Sequence, residues 1–296
     1  MLRSHRREET QASDGARLRR ALKLPLDCPR SLAHIPCVPP RVLITGASSG
    51  IGREAARQLG GRGWRIAVTG RRQADLEETA RRVEAAGGEC LALVGSVTEP
   101  ETVRRHYAAI RQRWGGLDWA ILNAGVGDSL DARQFRAQTC HDVFATNVGG
   151  AANWLEAVLP GMIAARSGTI AGISSLAALR GLPRAGAYSA SKAALSTLLE
   201  STRVDLRGTG VDIVIVCPGF IRNGSANPED DEGKLFLLEL EDGVRRILAG
   251  IDRKKRVVRF PWQLSHLMQY VVHNLPGSAY DRLITTLSGR DSRAGE

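Results

Sequence analysis

The chain has 296 residues, 43% of them hydrophobic, and a formal net charge of +10, which suits a soluble globular protein with a full core in one large domain or two small ones. The charge invites a nucleic-acid reading, but aromatic residues are only 5%, the arginines are dispersed, and no zinc-finger or RNA-recognition pattern is present. No nucleic acid is expected as a partner, and the excess charge reads chiefly as solvated faces.

Residues 1–40 lack periodicity and end in a proline-rich piece, Pro25, Pro29, Pro36, Pro39 and Pro40, which predicts a flexible N-terminal extension. Its arginines resemble a targeting peptide, yet Glu8, Glu9 and Asp14 argue against one. From Arg41 onward, Val- and Ile-rich runs at 42–45, 65–69, 91–94, 119–122, 169–173 and 211–216 alternate with amphipathic stretches. That alternation predicts an α/β fold, a Rossmann-like doubly wound parallel sheet of about seven strands with helices on both faces. After Gly219 the pattern changes to a substrate loop at 220–240 with a short apolar helix at 235–238, a helix at 242–251, a strand at 257–260 and an apolar stretch from Trp262. With no repeat and no linker, residues 41–296 read as one domain.

No run of about 18 or more uncharged apolar residues appears, and the N-terminus has no hydrophobic signal core. The five cysteines, Cys28, Cys37, Cys90, Cys140 and Cys217, are scattered and form no C-x-x-C or Cys/His ligand cluster. A reducing cytoplasmic setting with free thiols and no metal site is expected.

The first strand runs into Thr45-Gly46-Ala47-Ser48-Ser49-Gly50-Ile51-Gly52, with a helix predicted from near Arg53. Glycines let the backbone approach a pyrophosphate, and the free N–H groups of a helix N-terminus stabilise its charge. The spacing is G-x-x-x-G-x-G and not the G-x-G-x-x-G of the common dinucleotide fingerprint. At the end of the second strand, Gly70 stands where an NAD-binding fold offers an acid to the ribose 2′-hydroxyl, and Arg71 and Arg72 follow it. Cations are unfavourable at a helix N-terminus, so the two arginines need another reason; a 2′-phosphate is one. NADP(H) is preferred, with NAD(H) left open.

Tyr188 and Lys192 lie four residues apart, on one face of a helix. A cation within about 4 to 6 Å favours a phenolate by about 1 to 3 pH units, toward the range where a general acid or base works best. Alone, the pair also fits a solvated lysine beside a half-buried tyrosine.

Together these motifs resemble the classical short-chain dehydrogenase/reductase (SDR) family over residues 41–223. The matches run in family order: residues 45–52, Asn123-Ala124-Gly125, Asn147, Ser175, Tyr188 with Lys192, and Pro218-Gly219. The resemblance implies that Tyr188 exchanges a proton with the substrate oxygen and that Ser175, thirteen residues before it, orients that oxygen. Neighbouring Ser174 fits a local backbone cap better. Lys192 would hold the nicotinamide ribose and lower the tyrosine pKa, the tuning being complete only with NADP(H) bound. Asn147, a poor helix former in a predicted mid-helix position, would anchor a water.

Ser96 and Val97 would meet the adenine, with Ser96 where the family usually has aspartate. Ile221 and Asn223 would meet the nicotinamide, with Asn223 in place of the common threonine. The implied activity is NADP(H)-dependent hydride transfer on an alcohol or ketone. Phe220, Leu235, Phe236, Leu237, Leu238 and Trp262 suggest a hydrophobic substrate, though core packing explains them equally. The family implies a homodimer or homotetramer through the helices carrying Asn147 and Tyr188. Membrane-surface association of the closing stretch is the weaker reading. A noncatalytic NADP(H) sensor is the alternative, and a sugar-nucleotide epimerase is disfavoured by the short C-terminal region.

Overall fold

A computed structural model of the chain describes residues 38–127, 131–222 and 234–288. The expected extension therefore lies almost wholly outside the described residues, as does Asn223. The chain divides into Met1–Val38 and Pro39–Glu296, and the sheet with all its helices belongs to the second unit.

Seven strands form one parallel sheet in the order β3-β2-β1-β4-β5-β6-β7. They are β1 Arg41–Thr45, β2 Arg65–Gly70, β3 Glu89–Val94, β4 Trp119–Leu122, β5 Gly168–Ile173, β6 Val211–Pro218 and β7 Val257–Phe260. Every strand read from the sequence is present. The helices are α1 Gly50–Gly60, α2 Gln73–Ala85, α3 Pro100–Trp114, α4 Ala137–Phe144, α5 Gly150–Ala165, α6 Gly186–Asp205, α7 Leu240–Asp252, α8 Trp262–His266 and α9 Gly277–Ser288.

Both faces of the sheet are covered, which explains why its strands read as near-continuous apolar runs. Leu43, Ala67, Ile213 and Ile215 point to one core layer with Trp154, Leu195 and Leu199. Val42, Ile44, Ile66, Val68, Val214 and Val216 point to the other, with Leu59, Leu76 and Ile247. Strand order reverses between β1 and β4, which opens a crevice beyond their carboxyl ends.

Three local expectations are corrected. Helix α1 starts at Gly50 and not near Arg53, because the turn after β1 is tighter than glycine spacing alone conveys. Residues 235–238 form no helix: residues 235–236 make a turn, with Phe236 at φ 58°, and Leu238 pairs with Ile221 as an isolated bridge, flanked by bonds from Arg222 N to Leu238 O (2.9 Å) and from Leu238 N to Phe220 O (3.1 Å). Asn147 is not in a regular helix. It sits in a five-residue π turn, Ala145–Gly149, joining α4 to α5, and such bulges often mark functional positions.

Candidate active site

The site is built from the loops after β1 and β4. Thr45 Oγ1 accepts from the N–H groups of Asn123 and Ala124, both at 2.9 Å. Asn123 Nδ2 donates back to Thr45 O at 2.9 Å and Gly46 O at 3.1 Å, so the two loops are stitched edge to edge. Gly46 has φ +64°, and a Cβ there would lie 2.7 Å from Ala124 Cα. A Cβ on Gly52 would lie 2.6 Å from Gly46 O; Gly52 lets α1 close on the turn and does not itself face the crevice. The Ser49 side chain makes no capping bond and the first turn of α1 carries no acid, which leaves its amides for an anion.

The crevice has two lobes of about 450 and 470 Å³ that share Gly46, Ser49, Gly125 and Val126 and so form one groove. Ser48, Arg71, Arg72, Ser96, Val97 and Ala124 line the outer lobe. A Cβ on Gly70 would lie 2.2 Å from Ser48 Oγ, so Gly70 packs closely against the glycine-rich turn. Ser96 Oγ is bonded to Thr98 Oγ1 at 2.8 Å and accepts from Thr98 N at 3.2 Å.

The two arginines are not equivalent, contrary to their equal weighting in the sequence. Arg72 is bonded to Asp75, whose carboxyl is held below its usual range by Arg72 and then by Arg53. Asp75 is thus the structural reason for one cation at the start of α2. Arg71 is exposed and forms no ion pair among the described residues.

The inner lobe is lined by Gly50, Ile51, Asn123, Ser175, Tyr188, Lys192, Pro218, Gly219 and Ile221. Ser175 lowers the pKa of the Tyr188 phenol, lines the same lobe and accepts from Ala177 N at 3.1 Å. The local capping expected of Ser174 therefore falls to Ser175. Ser174 is buried and instead donates to Lys192 O at 3.0 Å and shares a 2.7 Å bond with Ser196, tying β5 to α6.

Burial pushes the Tyr188 phenol above its ordinary pKa, against the opposing effect of Ser175. The lowering expected of Lys192 belongs to the state with NADP(H) bound. The lysine is buried, its Nζ donates to Ile173 O at 2.7 Å and lies 5.6 Å from the tyrosine ring centroid. Burial lowers the Lys192 pKa to about 8.

Asn147, 1% exposed, stands behind the lobe. Its Oδ1 accepts from Val126 N at 2.7 Å, and its Nδ2 donates to Val126 O at 3.0 Å and Ser191 Oγ at 2.9 Å. Ser191 Oγ donates in turn to Tyr188 O at 2.8 Å. The loop after β4 and the helix turn carrying the tyrosine are thus braced through one amide. A Cβ on Gly125 would lie 3.1 Å from both Asn147 Oδ1 and Lys192 Nζ.

Sequence reasoning missed the roles of Ser191, Val126 and Thr98. Ser191 left one signal, a hydroxyl three residues after Tyr188, the spacing at which serine bonds back to a helix carbonyl. Among the described residues no group of three or more His, Cys, Asp or Glu could hold a metal ion, and no helix is long and apolar enough to cross a membrane.

The profile described as short chain dehydrogenase matches residues 40–233. The chain belongs to the short-chain dehydrogenase/reductase family. It resembles an uncharacterized oxidoreductase of Myxococcus xanthus, 42% identical over 223 residues that cover 75% of this chain and 88% of the relative. A 3-oxoacyl-(acyl-carrier-protein) reductase of Staphylococcus epidermidis is 31% identical over 198 residues, covering 67% and 81%. Among solved structures, a 3-ketoacyl-ACP reductase from Sinorhizobium meliloti superposes with TM-score 0.68 at 26% identity, over 77% of this chain and 100% of that one. Levodione reductase superposes with TM-score 0.70 at 24% identity, covering 76% and 97%, a likeness of fold. As an SDR the protein is an oxidoreductase of a family that binds NAD(P)(H) and acts on small molecules.

Proposed function

We propose that this SDR reduces the carbonyl of a hydrophobic ketone, or oxidises the matching alcohol, with NADP(H) and with Tyr188 as general acid/base. The observation that carries the proposal is the convergence of Ser175, Tyr188 and Lys192 on one lobe, continuous with a lobe where Arg71 and Arg72 meet Gly70. The residues fit the cofactor: the uncapped start of α1 suits a pyrophosphate, Gly46 and Gly125 leave space a side chain would fill, and Arg71 offers a guanidinium to a 2′-phosphate. When bound, NADPH would supply the hydride.

The chain's own groups manage the proton. The raised Tyr188 pKa keeps the phenol protonated at neutral pH, the form needed to donate to a substrate oxygen as its carbon is reduced. Ser175, which lines the same lobe as Tyr188, orients that oxygen. Lys192, with a pKa of about 8, is mostly charged at neutral pH and favours negative charge developing nearby. Ketoacyl reductases among the relatives favour the reductive direction. Phe220, Leu235, Phe236 and Trp262 remain exposed rather than packed in a core, in favour of an apolar substrate.

We extend the proposal to a cytoplasmic homo-oligomer, supported by the thiols of Cys90, Cys140 and Cys217 and by Phe144 and Ile163, which stay exposed on the α4–α5 segment. Membrane-surface association remains the weaker reading.

Tyr188→Phe tests the chemistry. It should lower NADPH oxidation on an accepted ketone by about 100- to 10,000-fold, the contribution of a positioned acid, while NADPH binding by fluorescence titration is retained. Turnover near the wild-type rate refutes the assignment.

A further inference from the structure

We infer that the opposite end of the sheet carries a second anion site, one for a phosphate-bearing small molecule. A cavity of about 680 Å³ there is lined by Arg166, Arg203, Arg207, Lys254 and Arg256, with Asp212 the single carboxylate. Lys254 uses that carboxylate at 2.7 Å, and Arg203 Nη2 pairs with Glu200 at 3.1 Å. Arg166, Arg207 and Arg256 form no ion pair among the described residues, Arg166 reaching only the backbone of Gly208 at 3.3 Å.

Helix dipoles do not account for this charge. Helices α5, α6 and α7 end beside the cavity, and each C-terminus contributes about half a negative charge. Three such ends, Asp212 and the Glu200 paired with Arg203 offset about three and a half of the five cations, leaving a surplus of about one and a half.

Two further features mark the wall of the cavity. Arg203 Nη1 is shielded from solvent and has no hydrogen-bond partner among the described residues, a cost that the fold carries here. Arg166 and Lys254 hold left-handed backbone, φ 50° and 49°, at helix ends where glycine is the favoured residue. Cations thus occupy two strained positions on the rim of one cavity. Guanidinium groups bind phosphate oxygens in bidentate fashion, and the three without an ion pair, Arg166, Arg207 and Arg256, suit a phosphate-bearing anion. The run Arg253-Lys254-Lys255-Arg256, which reads from the sequence as a solvated face, supplies two of the lining side chains.

The test is isothermal titration of the full-length protein with inorganic pyrophosphate, with NADP⁺ at saturating concentration so that the groove beyond β1 and β4 is not what is read. Wild type should bind, more weakly as salt rises. Arg207→Glu/Arg256→Glu, both exposed, should bind at least about tenfold more weakly, having lost charge-assisted bonds. Arg166→Gly should also bind more weakly while melting no lower than wild type, because glycine accepts the left-handed backbone without strain. A purely structural role for Arg166 predicts the reverse, a lower melting temperature with binding unchanged. No binding by wild type, binding displaced by NADP⁺, equal affinity in the variants, or retention on phosphatidic acid vesicles without affinity for pyrophosphate overturns the inference.

Discussion

Replacing Lys192 by methionine should make the protein more stable and inactive at once. The lysine is buried, and burial lowers its pKa from 10.5 to about 8. That difference corresponds to about 3 kcal/mol by which the fold disfavours the charged form. At neutral pH the group is protonated in the folded and the unfolded chain alike, so the cost is carried in full. It fades between about pH 8 and 10.5, where the unfolded chain still binds the proton and the folded chain has released it, so stability rises with pH through that window.

Methionine has a similar length and no charge, but it gives up the bond from Nζ to Ile173 O at 2.7 Å, worth about 1 kcal/mol. The net gain is about 2 kcal/mol, or about 4–8 °C in Tm for a domain of this size. Scanning calorimetry from neutral pH to pH 10.5, with turnover measured in parallel, reads both halves. The expected result is a Tm gain at neutral pH that shrinks as the pH rises, with turnover lost. A variant that melts at or below wild type at neutral pH, or keeps its full advantage at the alkaline end, refutes the idea that burial sets the state of this lysine.

Gly125→Ala should leave the fold standing but cut turnover steeply, since its Cβ would press within 3.1 Å of both Asn147 Oδ1 and Lys192 Nζ; unchanged kcat in a steady-state assay contradicts this. Asn147→Ala removes three hydrogen bonds linking Val126, Ser191 and α6 and should lower stability by about 1–3 kcal/mol in urea titration, with kcat falling too; a neutral effect on both would count against the brace. Arg71→Ala should weaken NADPH by about 10- to 150-fold with little change for NADH, and Arg72→Ala should do less because Asp75 already engages that side chain. Equal losses for the two nucleotides, measured by fluorescence titration, would exclude a phosphate contact.

The site was legible wherever a backbone requirement forces a residue type. Gly46 was readable because a Cβ there would meet the backbone of the loop after β4, Gly125 only through the family motif, and Tyr188 with Lys192 because helix spacing puts both on one face. Less legible was whatever depends on what lies across the fold. The drop in helix propensity at Asn147 was visible, but that it clamps both polar groups of Val126 depends on a contact twenty-one residues away. The apolar run at 235–238 fits a helix or a bridge equally by composition, and only pairing with Ile221 decides between them.

By itself, the sequence indicated the parallel strands and the glycine-rich turn, because hydrophobic period and glycine placement are local, one-dimensional signals, and the order of its motifs pointed to the family. Tertiary structure alone decided the electrostatics. Spacing puts Tyr188 and Lys192 on one face, but that burial raises the phenol pKa and that the ammonium donates to Ile173 O depends on what the fold places around them. Two adjacent arginines look alike in the chain, and Asp75, one helical turn on, separates their roles. Desolvation and partner choice depend on what surrounds a group in three dimensions, and no window of residues contains that information.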